Sequence, residues 1–360
     1  MTTMTKKLSI VTVAFRFPYP LYISGADVFN FKVAKALLQK GHDIQLLYAF
    51  SDALKDGVIH DFKRLDIAYE EHDKGFEFVY DSVRVRLYHE AAFYEQVRAF
   101  SKDPDSILWY QQPILEGFDF ESLYLPNSKH FVYIRSADEL RFFEPVKKSA
   151  ALIFANSRFC QAKIKSQYQR DAELIFPLPT TECIAKTKEP VADYISFFNP
   201  NPVKGIDIVE ALIKRNTHRK FIIVYAWHSS LPDRFKAYPN LAILPPLEDI
   251  SQVYALSRLV LLPAQWEEFF GRIQFEAAWN NIPVCISDRG AAAEFFSGNG
   301  VLVTDYSNVD AWQEAIDYLD DSQHYNKAVL ACDGLKKGFS FDEQVCQLEK
   351  ALLKAFKKDA

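Results

Sequence analysis

Four ionisable side chains in the second half of the chain have the types and spacing to grip an anion and what is attached to it. Lys204 ends a loop rich in Pro and Asn, Asn199-Pro-Asn-Pro-Val-Lys204-Gly205, and precedes a helical pattern. Arg272 follows Gly271 and stands in the first turn of a segment that reads as a helix from Arg272 to Asn280. A cation at a helix start is misplaced for the helix dipole, which favours acids there. It is well placed if the cation and the free N–H groups share a bound anion, phosphate above all. Glu268 lies just before that helix and Glu276 within it, with seven residues between them. They are spaced to hold hydroxyls on either side of the anion; the plainer alternative is a strand–loop–helix with a solvated pair of glutamates. A third loop, Asp288-Arg-Gly-Ala-Ala-Ala-Glu294, brings Gly290 and Ala291, small enough for their amides to approach a ligand.

These residues need a scaffold that brings several loops to one edge, and the pattern supplies it. Leu259–Leu262 is an unbroken apolar run, as expected for a buried parallel strand. Tyr194–Phe198, Phe221–Tyr225, Leu241–Leu244, Val284–Ser287 and Val301–Val303 repeat the theme, with a helix over Ile206–Arg215. The first half begins in the same way: strand Leu8–Phe15, a loop with Ser24-Gly25, a helix from about Asp27 to Lys40 ended by Gly41, and strand Ile44–Ala49. It contains no GxGxxG, which argues against a dinucleotide site; Gly25 is either a turn glycine or presents backbone to a ligand at the sheet's carboxyl edge. Phe76–Tyr80 and Val83–Leu87 read as an antiparallel insertion. Phe131–Ile134 and Leu152–Ala155 read as further strands, with Arg135 and Asp138 after the first, and Ser157 is placed to cap a helix over Arg158–Gln167. Arg135 and Asp138 either face a second substrate or pair with one another. Asp103-Pro-Asp105 has the spacing of a metal pair but is equally explained as a Pro turn, and the expected metal complement is none.

The Pro-rich run around Pro177–Pro190 reads as a linker. The expectation is therefore an α/β chain of two Rossmann-like domains, 1–185 and 186–340, with parallel sheets facing across a cleft. The tail, 341–360, reads as a helix with an Ser340-Phe-Asp-Glu343 capping box and an apolar face of Val345, Leu348, Leu352 and Phe356, expected to pack back on the first domain.

Composition narrows the class. The 360 residues are 49% hydrophobic and 25% charged, ordinary globular values. The net charge of −5 argues against a nucleic-acid partner. Five scattered cysteines with no CxxC pair fit reduced thiols and a cytoplasmic setting, and Cys285 reads as core filler. No apolar run approaches a membrane span, no signal peptide is read at the start, and membrane association has no support in a basic amphipathic helix.

As a set, the motifs Asn-Pro-x-Pro-x-Lys204-Gly, Trp-Glu-Glu268-Phe-Phe-Gly-Arg272-x-x-x-Glu276-Ala, Pro283-Val and Ser287-Asp-Arg-Gly290 resemble family 4 of the retaining glycosyltransferases. The resemblance is strongest over 194–305, extends in pattern to the first 50 residues and is slight over 51–150. It implies the two-domain fold called GT-B, a nucleotide-diphospho-sugar donor carrying UDP or GDP, no cofactor and a role such as polysaccharide biosynthesis. The acceptor is implied only as a glycan, lipid-linked or small molecule. By position, it implies that Glu268 holds donor-sugar hydroxyls with the amides of Phe270 and Gly271, that Glu276 binds the ribose, that Lys204 contacts the diphosphate, and that Gly25 closes over the phosphates. Asn199, Gly290 and Ala291 fall in the donor set. Many members carry Gly-Arg where this chain has Phe198-Asn199, so Arg272 is expected to supply the second cation. Asn281 and Ala291 stand where Gly is usual, and the family's frequent His has no match near Ile134. Same-face attack, with the donor phosphate taking the acceptor proton, requires no protein nucleophile, and none is evident. Two other readings share the architecture: a nucleotide-sugar epimerase, and a nucleotide-sugar-binding subunit without turnover.

Overall fold

The run Ser9-Ile-Val-Thr-Val-Ala14 is rich in β-branched residues and buried almost throughout, and it forms the strand from which the first sheet extends on both sides. The computed structural model describes residues 7–14, 17–111, 128–136, 150–186, 192–225, 231–247 and 249–356. They divide into two compact units, one of 1–176 with 342–360 and one of 177–341.

In the first unit the order is β1 (Ser9–Ala14), α1 (Gly25–Gln39), β2 (Asp43–Phe50), α2 (Lys55–Arg64), β3 (Tyr69–His72), β4 (Gly75–Tyr80), β5 (Val83–His89) and α3 (Glu90–Lys102). There follow β6 (Ser106–Tyr110), β7 (His130–Ile134), β8 (Leu152–Ala155), α4 (Arg158–Tyr168) and β9 (Glu173–Leu174). Their sheet runs β3-β4-β5-β2-β1-β6-β7-β8-β9, parallel from β5 onward, with β3–β4–β5 as an antiparallel edge. The antiparallel insertion expected at Phe76–Leu87 is thus the β4–β5 hairpin. The strand order turns around between β1 and β6, the point at whose carboxyl edge open α/β sheets bind ligands. Ser24 caps α1 and Ser157 caps α4, the latter accepting from the Cys160 amide at 3.0 Å. Asp103 accepts from the Asp105 amide and the Ser106 hydroxyl, closing a turn before β6.

The second unit contains β10 (Tyr194–Phe198), α5 (Ile206–Arg215), β11 (Lys220–Val224), β12 (Leu241–Leu244), α6 (Ser251–Leu256), β13 (Ser257–Leu262) and α7 (Arg272–Trp279). It continues with β14 (Val284–Ser287), α8 (Ala292–Phe295), β15 (Gly300–Val303), α9 (Val309–Tyr318) and α10 (Ser322–Gly338). Its sheet is parallel throughout, in the order β12-β11-β10-β13-β14-β15. Apolar side chains fill both faces: Leu212, Ile213, Leu261 and Trp312 on one side, Val260, Ala277, Ile282 and Val284 on the other. Cys285 is buried in β14, as expected of core filler. The sequence reading put the junction at 185/186, but Cys183 packs into this second core and its carbonyl accepts from Asn280 Nδ2 at 3.0 Å.

One surface of this unit has a pH-dependent tie. Glu210 on α5 accepts both arms of the Arg234 guanidinium at 2.9 and 2.8 Å and the Tyr238 hydroxyl at 2.8 Å, with Lys214 at 2.9 Å. The Arg234 hydrogen bonds, above all, pull the carboxyl from 4.5 to about 2. A depressed folded-state value stabilises fully above the ordinary carboxyl range and less as pH falls toward the folded value. Glu210→Gln should therefore lower the unfolding free energy at neutral pH, by roughly 1 kcal/mol, because the half-exposed Arg234 and Lys214 are screened by solvent. Its deficit against the wild type should shrink between pH 4.5 and pH 2, as read by denaturant unfolding across that range. A deficit independent of pH would contradict this origin.

The last helix, α11 (Phe341–Phe356), belongs to the first unit from Asp342 onward. It buries Val345, Leu348, Ala351 and Leu352. Gln344 accepts from the Phe176 amide at 2.8 Å, and Glu349 meets His42 and Lys40 at 2.9 Å each. His42 Nδ1 accepts from the Leu8 amide, so its proton sits on Nε2 and is donated to Glu349. Among the described residues no helix is long and apolar enough to cross a membrane.

Candidate functional site

In the second unit the chain order reverses between β10 and β13: the chain proceeds to β11 and β12 on one side, and to β14 and β15 on the other. Ligands of open α/β sheets bind outside the carboxyl ends of strands at such a point. The loops after β10, β13 and β14 carry Lys204, Glu268 with Arg272, and Gly290 respectively. The topology thus puts the residues singled out by chemistry at one edge.

The Lys204 loop is built by its asparagines. Asn199, at φ 59°, takes the Val224 carbonyl with its amide at 3.0 Å and accepts from Asn201 Nδ2 at 3.1 Å. Asn201 Oδ1 in turn caps the short turn ahead of α5 by accepting from the Lys204 amide at 2.9 Å. Gly205 must be glycine: a Cβ there would lie 2.0 Å from the Pro263 carbonyl oxygen. The neighbouring loop is stitched to this one, since the Gln265 amide donates to the Val203 carbonyl at 2.8 Å.

The side chains form two ion pairs. Lys204 Nζ meets Glu268 Oε2 and lies 4.9 Å from the centroid of the Trp266 ring, while Trp266 Nε1 donates to the same carboxylate oxygen at 3.3 Å. Arg272 Nε donates to Glu276 Oε1 at 2.8 Å, one turn along α7. Its order, cation before acid, is the weaker one for a helix pair, and it leaves a guanidinium at the positive end of the helix. All four side chains are partly exposed, between 12% and 25%.

Glu268 is fixed through its backbone. Its carbonyl accepts from the Ala291 amide at 2.7 Å, and Glu268 and Gly290 form an isolated parallel bridge. Gly290, at φ 66°, has the Glu268 backbone so near that a Cβ would come within 2.2 Å of its oxygen. The sequence reading gave Gly290 and Ala291 to ligand approach; here the Ala291 amide is committed to the Glu268 loop, and Gly290 is glycine because that loop passes over it. Phe270 is likewise internal in its ring, stacked on Phe275 at 4.7 Å, and its carbonyl accepts from Gln274. Gly271, at φ 75°, leads directly into α7.

Two residues at this edge are given no role by the sequence alone. Trp266 sits two residues before Glu268, and the indole N–H is what connects it to the site. Tyr254 on α6 is 1% exposed and donates its hydroxyl to Glu276 Oε2 at 2.6 Å. Burial first, then the adjacent Glu276, raises its phenol well above the ordinary range. The same order of causes, burial and then Glu276, pushes the Cys183 thiol up to about 12.

In the first unit, Gly25 is the first residue of α1, after the Ser24 cap, on the loop that follows β1. Arg135, after β7, donates to Asn30 Oδ1 of α1 at 2.8 Å and lies 5.2 Å from the Tyr133 ring centroid. Asn30 Nδ2 donates onward to Gln111 Oε1, after β6. Arg135 therefore belongs to a polar chain that ties α1 to the ends of β6 and β7; Asp138 lies outside the described residues. Among the described residues no group of three His, Cys, Asp or Glu side chains is arranged to hold a metal ion.

Residues 233–329 match the family model described as "Glycosyl transferases group 1". Spore coat protein SA of Bacillus subtilis (strain 168) is 30% identical over 79 residues, an alignment that spans only 21% of this chain and 21% of that protein. Over nearly the whole chain the fold matches two solved structures. A glycosyltransferase from Rickettsia africae ESF-5 has a TM-score of 0.68 at 16% identity, covering 99% of this chain and 100% of that one. HepE from Anabaena, in complex with UDP-glucose, has a TM-score of 0.71 at 15% identity, covering 96% and 100%. The matched segment and the similar fold point the same way as the motifs: a group 1 glycosyltransferase segment within a chain of GT-B fold.

Proposed function

From that premise, a group 1 segment on a GT-B fold, we infer that the chain moves a hexose-type sugar from a nucleotide-diphospho-sugar to an acceptor with retention of configuration and without a metal. UDP is the first nucleotide to test, since HepE is described in complex with UDP-glucose. The observation that carries the reading is the pairing of two cations with two acids at the β10/β13 switch point.

Each pair offers what one part of the donor needs. Lys204 and Arg272 supply positive charge for a leaving diphosphate, together with the amides at the start of α7. Glu268, released by Lys204, accepts hydroxyls of the sugar, and Glu276 accepts those of the ribose. Breaking the sugar–phosphate bond builds negative charge on the leaving group, where fixed cations lower the barrier most. The acceptor proton passes to the departing phosphate oxygen on the same face, so neither glutamate needs to act as a nucleophile. Arg135 is assigned to the acceptor side with its neighbours Asn30 and Gln111. The acceptor is a glycan, a lipid-linked sugar or a small molecule.

A thermal-shift series with UDP, GDP, ADP and their hexose conjugates tests this. A ligand at a hundredfold excess over Kd stabilises the native state by about 2.7 kcal/mol, enough to identify the donor. No shift with any nucleotide or conjugate would remove the reading. A second reading, a subunit that binds the donor without turnover, is favoured by one observation: Phe198 stands where many members have Gly and packs its ring 5.4 Å from that of Tyr254, while Asn199 occupies the place of the usual Arg. Donor binding without release of nucleoside diphosphate, with any acceptor extract, would select it.

A further inference from the structure

Glu276 is held on both oxygens, but the two holds differ in kind. Arg272 takes Oε1 from a partly exposed position on the same helix, its side chain 17% exposed. Tyr254 takes Oε2 at 2.6 Å from inside the core, where it packs with Phe198, Val253, Val260 and Ala277. The solvent-side hold can exchange partners without disturbing the fold, and the core-side hold cannot.

The base of this arrangement is also secured. Asn280 Nδ2 donates to the Glu276 carbonyl at 2.8 Å and to the Cys183 carbonyl at 3.0 Å, and Asn280 Oδ1 accepts from the Ala185 amide at 2.8 Å. Backbone and one carboxylate oxygen of Glu276 are therefore both fixed, leaving little freedom about the side-chain torsions. A carboxylate that accepts from two adjacent hydroxyls needs its plane set in advance, because a rotating acceptor loses part of each hydrogen bond to ordering.

We propose that Tyr254 is a positioning residue for nucleotide recognition: its phenol locks one oxygen of Glu276 from the core so that the other can exchange Arg272 for the vicinal hydroxyls of a ribose. The proposal rests on the reading of Glu276 as the ribose acceptor. Tyr254 touches no substrate; it acts through Glu276. The exchange also releases Arg272 Nε from Glu276, which links ribose recognition to the second cation.

The test compares the affinity of full-length protein for UDP, ADP and GDP with that for their 2′,3′-dideoxy counterparts by calorimetry. The wild type is expected to prefer the ribonucleotide by about tenfold or more for whichever base it binds. Tyr254→Phe keeps the ring in the core and removes only the hydroxyl. It should cut that preference at least threefold while leaving the dideoxy affinity unchanged. Glu276→Ala should remove the preference altogether. Tyr254→His, whose ring stops short of Glu276, serves if the Phe variant does not fold, and should behave in the same way. A preference unchanged in the Tyr254 variants, or an equal weakening of both nucleotide forms, overturns the role of Tyr254 and leaves the transferase reading standing. A wild type that binds nucleotide with no preference for ribose overturns the role of Glu276 with it. A wild type that binds none of the nucleotides overturns the function on which the proposal rests.

Discussion

Lys204→Ala should lower the turnover of sugar transfer by a factor of about 10²–10³, the range for removing one fixed donor from a site of developing negative charge. Arg272→Ala should fall in the same range. Both side chains are partly exposed and sit at helix starts, where their charge is unfavourable to the dipole. Their removal therefore leaves the fold intact, and thermal unfolding should be within a few degrees of wild type. Each variant also frees an acid: Glu268 keeps the Trp266 N–H, and Glu276 keeps the Tyr254 hydroxyl. The measurement is release of nucleoside diphosphate from the donor identified by thermal shift. Near-wild-type turnover in both variants would sink the claim that these cations stabilise the leaving group. A loss in KM alone, with turnover preserved, would assign them to ground-state binding instead.

Gly290→Ala is the second substitution expected to have a large effect, for a different reason. The added Cβ would need to occupy space 2.2 Å from the Glu268 carbonyl oxygen and 2.7 Å from its nitrogen, at a φ of 66° that L-residues rarely adopt. Backbone cannot yield as a flexible side chain does, so the Glu268 loop must move. The bridge between Glu268 and Gly290, and the Ala291 hydrogen bond beside it, go with that movement. Strain of this kind costs of order 1–3 kcal/mol before the lost contacts are added. The expected result is a lowered unfolding midpoint together with donor affinity reduced tenfold or more, in a variant whose circular dichroism still reports an α/β fold. Wild-type stability and wild-type donor affinity would show that the loop is not anchored there.

The second half of the chain was the more legible. Helix Ile206–Arg215 and strands Tyr194–Phe198, Leu241–Leu244 and Val284–Ser287 lie where periodicity put them. Parallel strands buried on both faces read as unbroken apolar runs, which few other structures imitate. Helices α2, α3 and α10 were not read, because each shows few buried residues: Val58 and Phe62 on α2, Phe93 and Val97 on α3, Ala328, Cys332 and Leu335 on α10. The cations of the site announced themselves by standing in the wrong place for a helix dipole, and the acids by their spacing around them. Their partners did not, since pairing Lys204 with Glu268 depends on two loops meeting from different strands. Tyr254 was hidden for the opposite reason. Within an apolar stretch its ring is what a core helix needs, and only the position of Glu276 reveals what the hydroxyl is for.

The two internal ion pairs also shape how tightly any phosphate is held. A diphosphate that reaches Lys204 or Arg272 does not meet a bare charge; it displaces a carboxylate already in contact with it. The net gain would be the difference between two similar attractions, so on the proposed function inorganic phosphate and other simple anions are expected to be poor ligands. A molecule that also gives hydroxyls to the displaced carboxylates recovers what the exchange gives up. On the proposed function, departure of the sugar would take those hydroxyls from Glu268, which would turn back toward Lys204 and help expel the spent nucleotide.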